Sequence, residues 1–195
     1  YPTIDICVGD EKDYKDAQVI VITAGAAQNT GETRLDLLKK NASIVGNISE
    51  QIAEQNSRAI LLVVTNPVDI LTKIALESSN FPRERVIGSG TVLDTSRFRY
   101  QLSQKLDVHV GNVHGYILGE HGDSEFAAWS MSNIAGVPIE VYSELKKLEN
   151  WDEQKKGIEQ KVRDSAYHII DYKGATNFAV GLALVQITGA ILKNQ

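Results

Sequence analysis

Three short segments of this chain carry side chains whose types and spacing could do chemistry. Gly119-Glu120-His121-Gly122-Asp123 offers an imidazole between two glycines. Asp94-Thr95-Ser96-Arg97 offers a carboxylate and a guanidinium one helical turn apart, and Gly31-Glu32-Thr33-Arg34 offers a second guanidinium. An imidazole changes protonation near neutrality and can move a proton. A carboxylate beside it fixes its tautomer, while guanidinium groups grip a substrate carboxylate in a fork or polarise a carbonyl. Together these groups are the equipment for reducing a 2-keto acid. Each alone has a plainer explanation. His121 could be an exposed loop histidine, and Asp94 with Arg97 a surface i,i+3 pair worth roughly 0.2–0.5 kcal/mol. Arg34 could be a solvated residue in a first helical turn, although the positive helix end disfavours a cation there.

These groups need elements to hold them. Gln18 to Thr23 and Ala59 to Thr65 are continuous β-branched runs, the pattern of parallel strands buried on both faces. Between them Leu35, Leu38, Ala42, Val45, Ile48 and Ile52 recur at helical spacing, with Thr33 as N-cap and Asp36 three places on. Thr3 to Val8 reads as a shorter strand. Strand, helix, strand at this spacing predicts a right-handed parallel unit. A second helix follows Asn66-Pro67 with proline at its first position, and Val86-Ile87 is a strand leading to Gly88-Ser89-Gly90. Beyond it the pattern predicts a helix from Leu93 to Leu106 and strands near Val113–Ile117 and Val137–Tyr142. Helices over Glu153–Asp171 and Ala175–Leu192 follow, the last an interior one. The fold class is therefore α/β: a partial Rossmann-like parallel sheet over 1–89, then a mixed α+β domain over 90–195. Asn66 ends the strongest strand, at the edge where open α/β sheets bind ligands, and reads equally as a helix cap or a ligand group.

Composition narrows the function. The chain has 195 residues, 43% hydrophobic and 23% charged, with a net charge of -5. That charge gives no basic stripe for nucleic acid or an anionic membrane. The longest apolar-rich run, Phe178 to Leu192, is broken by polar residues and falls short of the ~18 apolar residues of a membrane span. The single cysteine, Cys7, makes neither an internal disulfide nor a cysteine metal cluster, and no metal site is expected; it suits a cytoplasmic setting. A dinucleotide fingerprint, Gly-x-Gly-x-x-Gly between a strand and a helix, is missing. The nearest match, Gly88-Ser89-Gly90-Thr91-Val92-Leu93, has the wrong third position.

Several blocks, in order, nonetheless carry a resemblance: Thr23-Ala24-Gly25-Ala26, Gly31-Glu32-Thr33-Arg34-Leu35-Asp36-Leu37, Thr65-Asn66-Pro67-Val68-Asp69-Ile70-Leu71, Val86-Ile87-Gly88-Ser89-Gly90-Thr91, Leu93-Asp94-Thr95-Ser96-Arg97-Phe98-Arg99, Gly119-Glu120-His121-Gly122-Asp123-Ser124 and Lys173-Gly174-Ala175-Thr176. The chain resembles the lactate/malate dehydrogenase family along nearly its whole length, most closely the bacterial L-lactate branch. The resemblance implies that His121 passes a proton to the keto oxygen and that Asp94 holds it and favours the imidazolium. It implies that Arg97 clamps the substrate carboxylate and that Arg34 swings in on a lid to polarise the carbonyl. Asn66 and Thr176 would line the substrate site. Gly25, Ala26, Val64, Thr65, Asn66 and Ser89 would touch NAD, which brings the hydride. At Gln28 malate dehydrogenases carry an arginine for a second carboxylate. An amide there favours pyruvate/lactate over oxaloacetate/malate, since a dicarboxylate would leave a buried anion unpaired.

The resemblance also implies that Arg99 and His114 form an allosteric site for fructose 1,6-bisphosphate between subunits of a homotetramer serving glycolysis and fermentation. It implies too that the family's glycine loop and closing strands lie outside these residues. The chain is then expected to be a central piece, inactive and poorly stable alone. A malate or other 2-hydroxy-acid dehydrogenase, an NAD-dependent glycosidase (which needs a cysteine/histidine metal site) and a non-catalytic oligomerisation fragment are the competing readings.

Overall fold

The computed structural model describes residues 3–26, 33–55, 57–173 and 177–195, apart from the side chains of 34 and 166–173. The chain divides into two compact units, Tyr1–Ser89 with Leu192–Gln195, and Gly90–Ile191.

In the first unit, strands β1 (Val19–Ile22), β2 (Ile60–Val63) and β3 (Val86–Gly88) pair in parallel, in that order, joined through helices α1 (Arg34–Glu54) and α2 (Val68–Ser79). The continuous apolar run of β2 is explained by its central place: Leu61, Leu62 and Val63 are fully buried. The expectation of two-sided burial does not extend to β1. Its Val21 is 37% exposed, because β1 pairs with β2 alone among the described strands. Thr33 caps α1 through a reciprocal box, Asp36 N–H donating to Thr33 Oγ1 at 3.1 Å and Asp36 Oδ2 accepting from the Thr33 backbone and hydroxyl. Pro67 stands one place earlier than expected, as the N-cap of α2, and the Asn66–Pro67 peptide is cis. Helix α2 ends at Asn80 in the left-handed region. Val45, Ile52, Leu71 and Ala75 fill the seam between the two helices and the sheet.

Thr3 to Val8 is not a strand. It has no ladder partner among the described residues, and Ile4, Ile6 and Val8 stand in solvent, so apolar alternation without a neighbour to pair with yields no sheet. A short 3₁₀ turn, Glu11–Lys15, follows it, capped by Asp10.

The second unit starts with α3 (Val92–Leu106). Three small antiparallel pairings follow: β4 (Val113–His114) with β7 (Asn133–Ile134), β7 with β8 (Val137–Pro138), and β5 (Ile117–Leu118) with β6 (Phe126–Ala127). The expected strand at Val113–Ile117 is thus two strands in different sheets. The expected strand at Val137–Tyr142 is mostly helix α4 (Ile139–Leu145), entered through Pro138. Helices α5 (Trp151–Lys173) and α6 (Phe178–Lys193) complete the unit. Its core centres on Phe98, fully buried and edge-on to Trp129 at 5.1 Å, with Trp129 in turn edge-on to Trp151. The expectation that α6 is an interior helix fails, since Phe178, Leu182 and Val185 are 69–78% exposed. No helix among the described residues is long and apolar enough to cross a membrane.

Candidate functional site

The sheet's C-terminal edge gathers the residues assigned to NAD. Beyond β1, β2 and β3 come Gly25 with Ala26, Val64 with Thr65 and Asn66, and Ser89. A buried amide that the sequence reading passed over ties two of these turns together. Asn41 Oδ1 accepts from Ala26 N–H at 2.7 Å, and its Nδ2 donates to the Asn66 carbonyl at 3.1 Å. The signal was present, because Asn41 is a polar residue in the apolar register of Leu38, Val45, Ile48 and Ile52. Thr65 donates to the Ala24 carbonyl at 2.7 Å. A Cβ at Gly25 would lie 2.5 Å from Thr65 Cγ2, so only glycine lets the two turns meet. This edge fits a dinucleotide. It is built of backbone and short side chains, mostly half-buried or exposed, at the place where open α/β sheets take such ligands.

The second unit brings His121, Asp94 and Arg97 together. Thr91 and Thr95 at the start of α3 bind the backbone of Ile117 in β5. Thr91 Oγ1 donates to its carbonyl at 2.7 Å, and its N–H donates to Thr95 Oγ1 at 3.0 Å. Four residues on, the chain has turned through Gly119, at φ +96°, to present His121 above the same helical turn. Asp94 Oδ2 lies 2.6 Å from His121 Nδ1, and its Oδ1 accepts from Arg97 NH1 at 3.0 Å. The plainer reading of Asp94–Arg97 as a surface pair is excluded, for Asp94 is 2% exposed. Burial pushes the Asp94 carboxyl up, but the hydrogen bond from His121 and the charges of His121 and Arg97 outweigh it and hold the group below its ordinary 3.8.

A third member was not foreseen. Glu125 is 4% exposed, with Oε2 3.9 Å from His121 Nδ1. Burial first, and the Asp94 charge second, push its carboxyl from 4.5 up to about 7. Donor atoms of Asp94, His121 and Glu125 all lie within 4.8 Å of one another. The 2.6 Å Nδ1–Oδ2 contact is a charge-assisted hydrogen bond, shorter than the separation of two ligands on one tetrahedral ion, roughly 3.3 Å. A tetrapeptide spacing of acid after histidine was the available clue, but spacing alone does not reveal an inward-facing carboxylate.

The other assigned residues fall as follows. Gln28 and Thr176 lie outside the described residues, as does the side chain of Arg34, whose backbone opens α1. Arg99 donates from Nε to the Gly115 carbonyl at 2.9 Å and sits over the Tyr116 ring, and His114 is exposed.

A parallel α/β sheet joined to a unit in which a buried aspartate holds a half-buried histidine and arginine is a dehydrogenase-like architecture, and comparison with known proteins gives the family. Residues 3–88 match the family model described as lactate/malate dehydrogenase, NAD binding domain, and residues 91–195 its alpha/beta C-terminal domain. The chain belongs to the lactate/malate dehydrogenase family. It is 57% identical over its whole length to an L-lactate dehydrogenase of Treponema denticola, spanning 62% of that protein. It is 52% identical over 96% of its length to L-lactate dehydrogenase 1 of Clostridium acetobutylicum, spanning 60%. Among solved structures it matches a lactate dehydrogenase from a deep-sea metagenome with a TM-score of 0.90 at 49% identity, covering 96% of this chain and 59% of that one. It also matches the ligand-bound minor L-lactate dehydrogenase of Enterococcus mundtii with a TM-score of 0.89 at 45% identity, covering 94% and 58%. The chain thus spans about three fifths of the length of the relatives it matches.

Proposed function

We propose that the protein carrying this chain is an NAD-dependent L-lactate dehydrogenase, interconverting pyruvate and lactate. The observation that carries the reading is the buried carboxylate of Asp94, holding His121 on one oxygen and Arg97 on the other. Asp94 fixes Nδ1 of the imidazole, so Nε2 is the atom through which a proton passes to the keto oxygen in reduction and returns in oxidation. Gly25, Ala26, Val64, Thr65, Asn66 and Ser89 would hold the dinucleotide, which would supply the hydride when bound in its reduced form. A guanidinium has five N–H donors, and Asp94 engages NH1 of Arg97, which anchors the fork that clamps the substrate carboxylate. Arg34 would polarise the carbonyl, Asn66 and Thr176 would serve substrate binding, and Gln28 would disfavour a second substrate carboxylate.

The same reading makes the enzyme a cytoplasmic homotetramer of glycolysis and fermentation. Fructose 1,6-bisphosphate would be its activator at Arg99 and His114, a placement supported by the bond from Arg99 to Gly115, the neighbour of His114. Replacing His121 with glutamine tests the central assignment. The rate of NADH-dependent pyruvate reduction should fall by about 10²-fold or more with assembly unchanged, and an unaltered rate would overturn it.

A further inference from the structure

We propose that Glu125 is a positioning residue for the proton transfer, its carboxyl buried against the Asp94–His121 pair so that its charge sets how firmly the imidazole holds its proton. This rests on the reading of His121 as the proton carrier. Glu125 Oε2 and Asp94 Oδ2 face the same nitrogen, His121 Nδ1, at 3.9 Å and 2.6 Å. The longer distance lies beyond hydrogen-bond reach, so Glu125 acts on the imidazole through its field.

The backbone of Glu125 has a structural task that does not account for the carboxyl group. Its N–H donates to the Gly122 carbonyl at 3.2 Å, closing the turn after His121, and its carbonyl accepts from Arg163 NH1 at 3.1 Å. Any residue but proline could make those two bonds. A glutamate side chain at 4% exposure needs another reason, because carboxyl groups are rarely buried without a partner. The charged groups around it are few. Among the described residues Asp94 faces it from α3 and His121 from its own turn, while α5 contributes Arg163 and Glu159. Arg163 is directed at the carbonyl of Glu125 and at Glu159, 3.8 Å away, and Glu159 accepts from Trp129 Nε1 at 2.7 Å. The helix that could have neutralised Glu125 therefore leaves its carboxyl to Asp94, His121 and the Gly122 backbone.

Two states follow. Below about pH 7 Glu125 is a neutral acid hydrogen-bonded to Asp94, and Asp94 supplies the negative charge at Nδ1. Above it Glu125 ionises, and a second negative charge stands beside Nδ1 and opposes loss of the imidazole proton. The three groups titrate as a unit. The cluster resists losing its transferable proton as the solution becomes alkaline.

The test is an NMR titration of the His121 ring protons between pH 5 and 9 in the whole protein that carries this chain, with the signal assigned by its loss in His121→Gln. Glu125→Gln mimics the neutral acid at every pH, so the His121 midpoint should drop by about one unit or more relative to the native chain. Glu125→Asp should restore most of the difference. Superposable curves for the native chain and Glu125→Gln would overturn the proposal. Carbon-13 shifts of the Glu125 carboxyl in the unsubstituted chain give a second arm immune to misfolding. An inflection near neutrality supports the coupling, and one in the ordinary acid range overturns it. In the active enzyme the alkaline limb of pyruvate reduction should move with the His121 midpoint. The titration needs no substrate. A shift in a protein that leaves pyruvate untouched would sink the dehydrogenase reading and spare the coupling, and a flat response in an active enzyme would do the reverse.

Discussion

Replacing Asp94 with asparagine removes one charge and almost no volume, and the structure sets what that should cost. Asp94 is 2% exposed and serves two partners, His121 at 2.6 Å and Arg97 at 3.0 Å. Deleting one partner of a buried ion pair typically destabilises by about 3–5 kcal/mol, because the remaining charge is stranded. Here the stranded side chains keep some contact with water, 13% exposure for Arg97 and 26% for His121. A loss of about 2–4 kcal/mol at pH 7 is therefore expected. The pH dependence has a definite sign. The Asp94 carboxyl is held below its ordinary 3.8, so its contribution is complete above that value and drains away as pH falls through the lowered folded value. The gap between native chain and variant should be full at pH 7 and smaller at pH 3. Urea unfolding followed by tryptophan emission measures it, since both tryptophans, Trp129 and Trp151, belong to the second unit. With a slope near ~1.5 kcal/mol per molar, a 3 kcal/mol loss moves the midpoint by about 2 M. A midpoint unchanged at pH 7, or an equal loss at both pH values, would refute the account of Asp94 as a charge shared by two cations.

Two further outcomes are expected. Gln28→Arg should raise the ratio of kcat/KM for oxaloacetate over pyruvate by about 10²-fold or more, because the new cation pairs a second carboxylate that otherwise stays unpaired; an unchanged ratio would show that position 28 does not read the substrate tail. Phe98→Ala should cost about 3–5 kcal/mol in the urea midpoint of the second unit, since the ring is fully buried and edge-on to Trp129; a loss below about 1 kcal/mol would mean that the core collapses into the space.

What could be read from the sequence follows from the range of the forces involved. Helix α1 and its Thr33–Asp36 cap, strands β1 to β3 and helix α3 are local or periodic features, and each sits within a residue or two of its expected bounds. Thr3 to Val8 misled because alternation describes a strand's faces and says nothing about a neighbour to pair with. Val137 to Tyr142 misled because Pro138 opens a helix as readily as it sits in a strand. The exposed face of α6 was hidden for the opposite reason: an apolar run states that cover is wanted and does not state where the cover lies. In the site, residue types and motif order pointed to His121, Asp94 and Arg97. Asn41 and Glu125 escaped because their importance comes from burial beside partners 25 and 31 residues away in sequence, Asn66 and Asp94.

That Asp94 and His121 meet at 2.6 Å is a consequence of how α3 is fastened. A short helical turn and a loop after a two-residue strand have little stiffness of their own, and an isolated pairing of that length is marginal. The hydroxyls of Thr91 and Thr95 remove the slack. They bond both the carbonyl and the N–H of Ile117, on the face of α3 next to Asp94, with Ile117 itself 2% exposed. From Ile117 to His121 the chain has four residues in which to wander, and Gly119 takes up the left-handed bend that turns it back. The Gly122–Glu125 backbone bond then closes the far side of the turn, and Arg163 holds the Glu125 carbonyl from α5. The histidine is thus fixed from both ends by backbone contacts that do not depend on its own protonation. The proton carrier proposed at His121 would have to donate and then accept, and this fastening would keep Nδ1 on Asp94 through both steps.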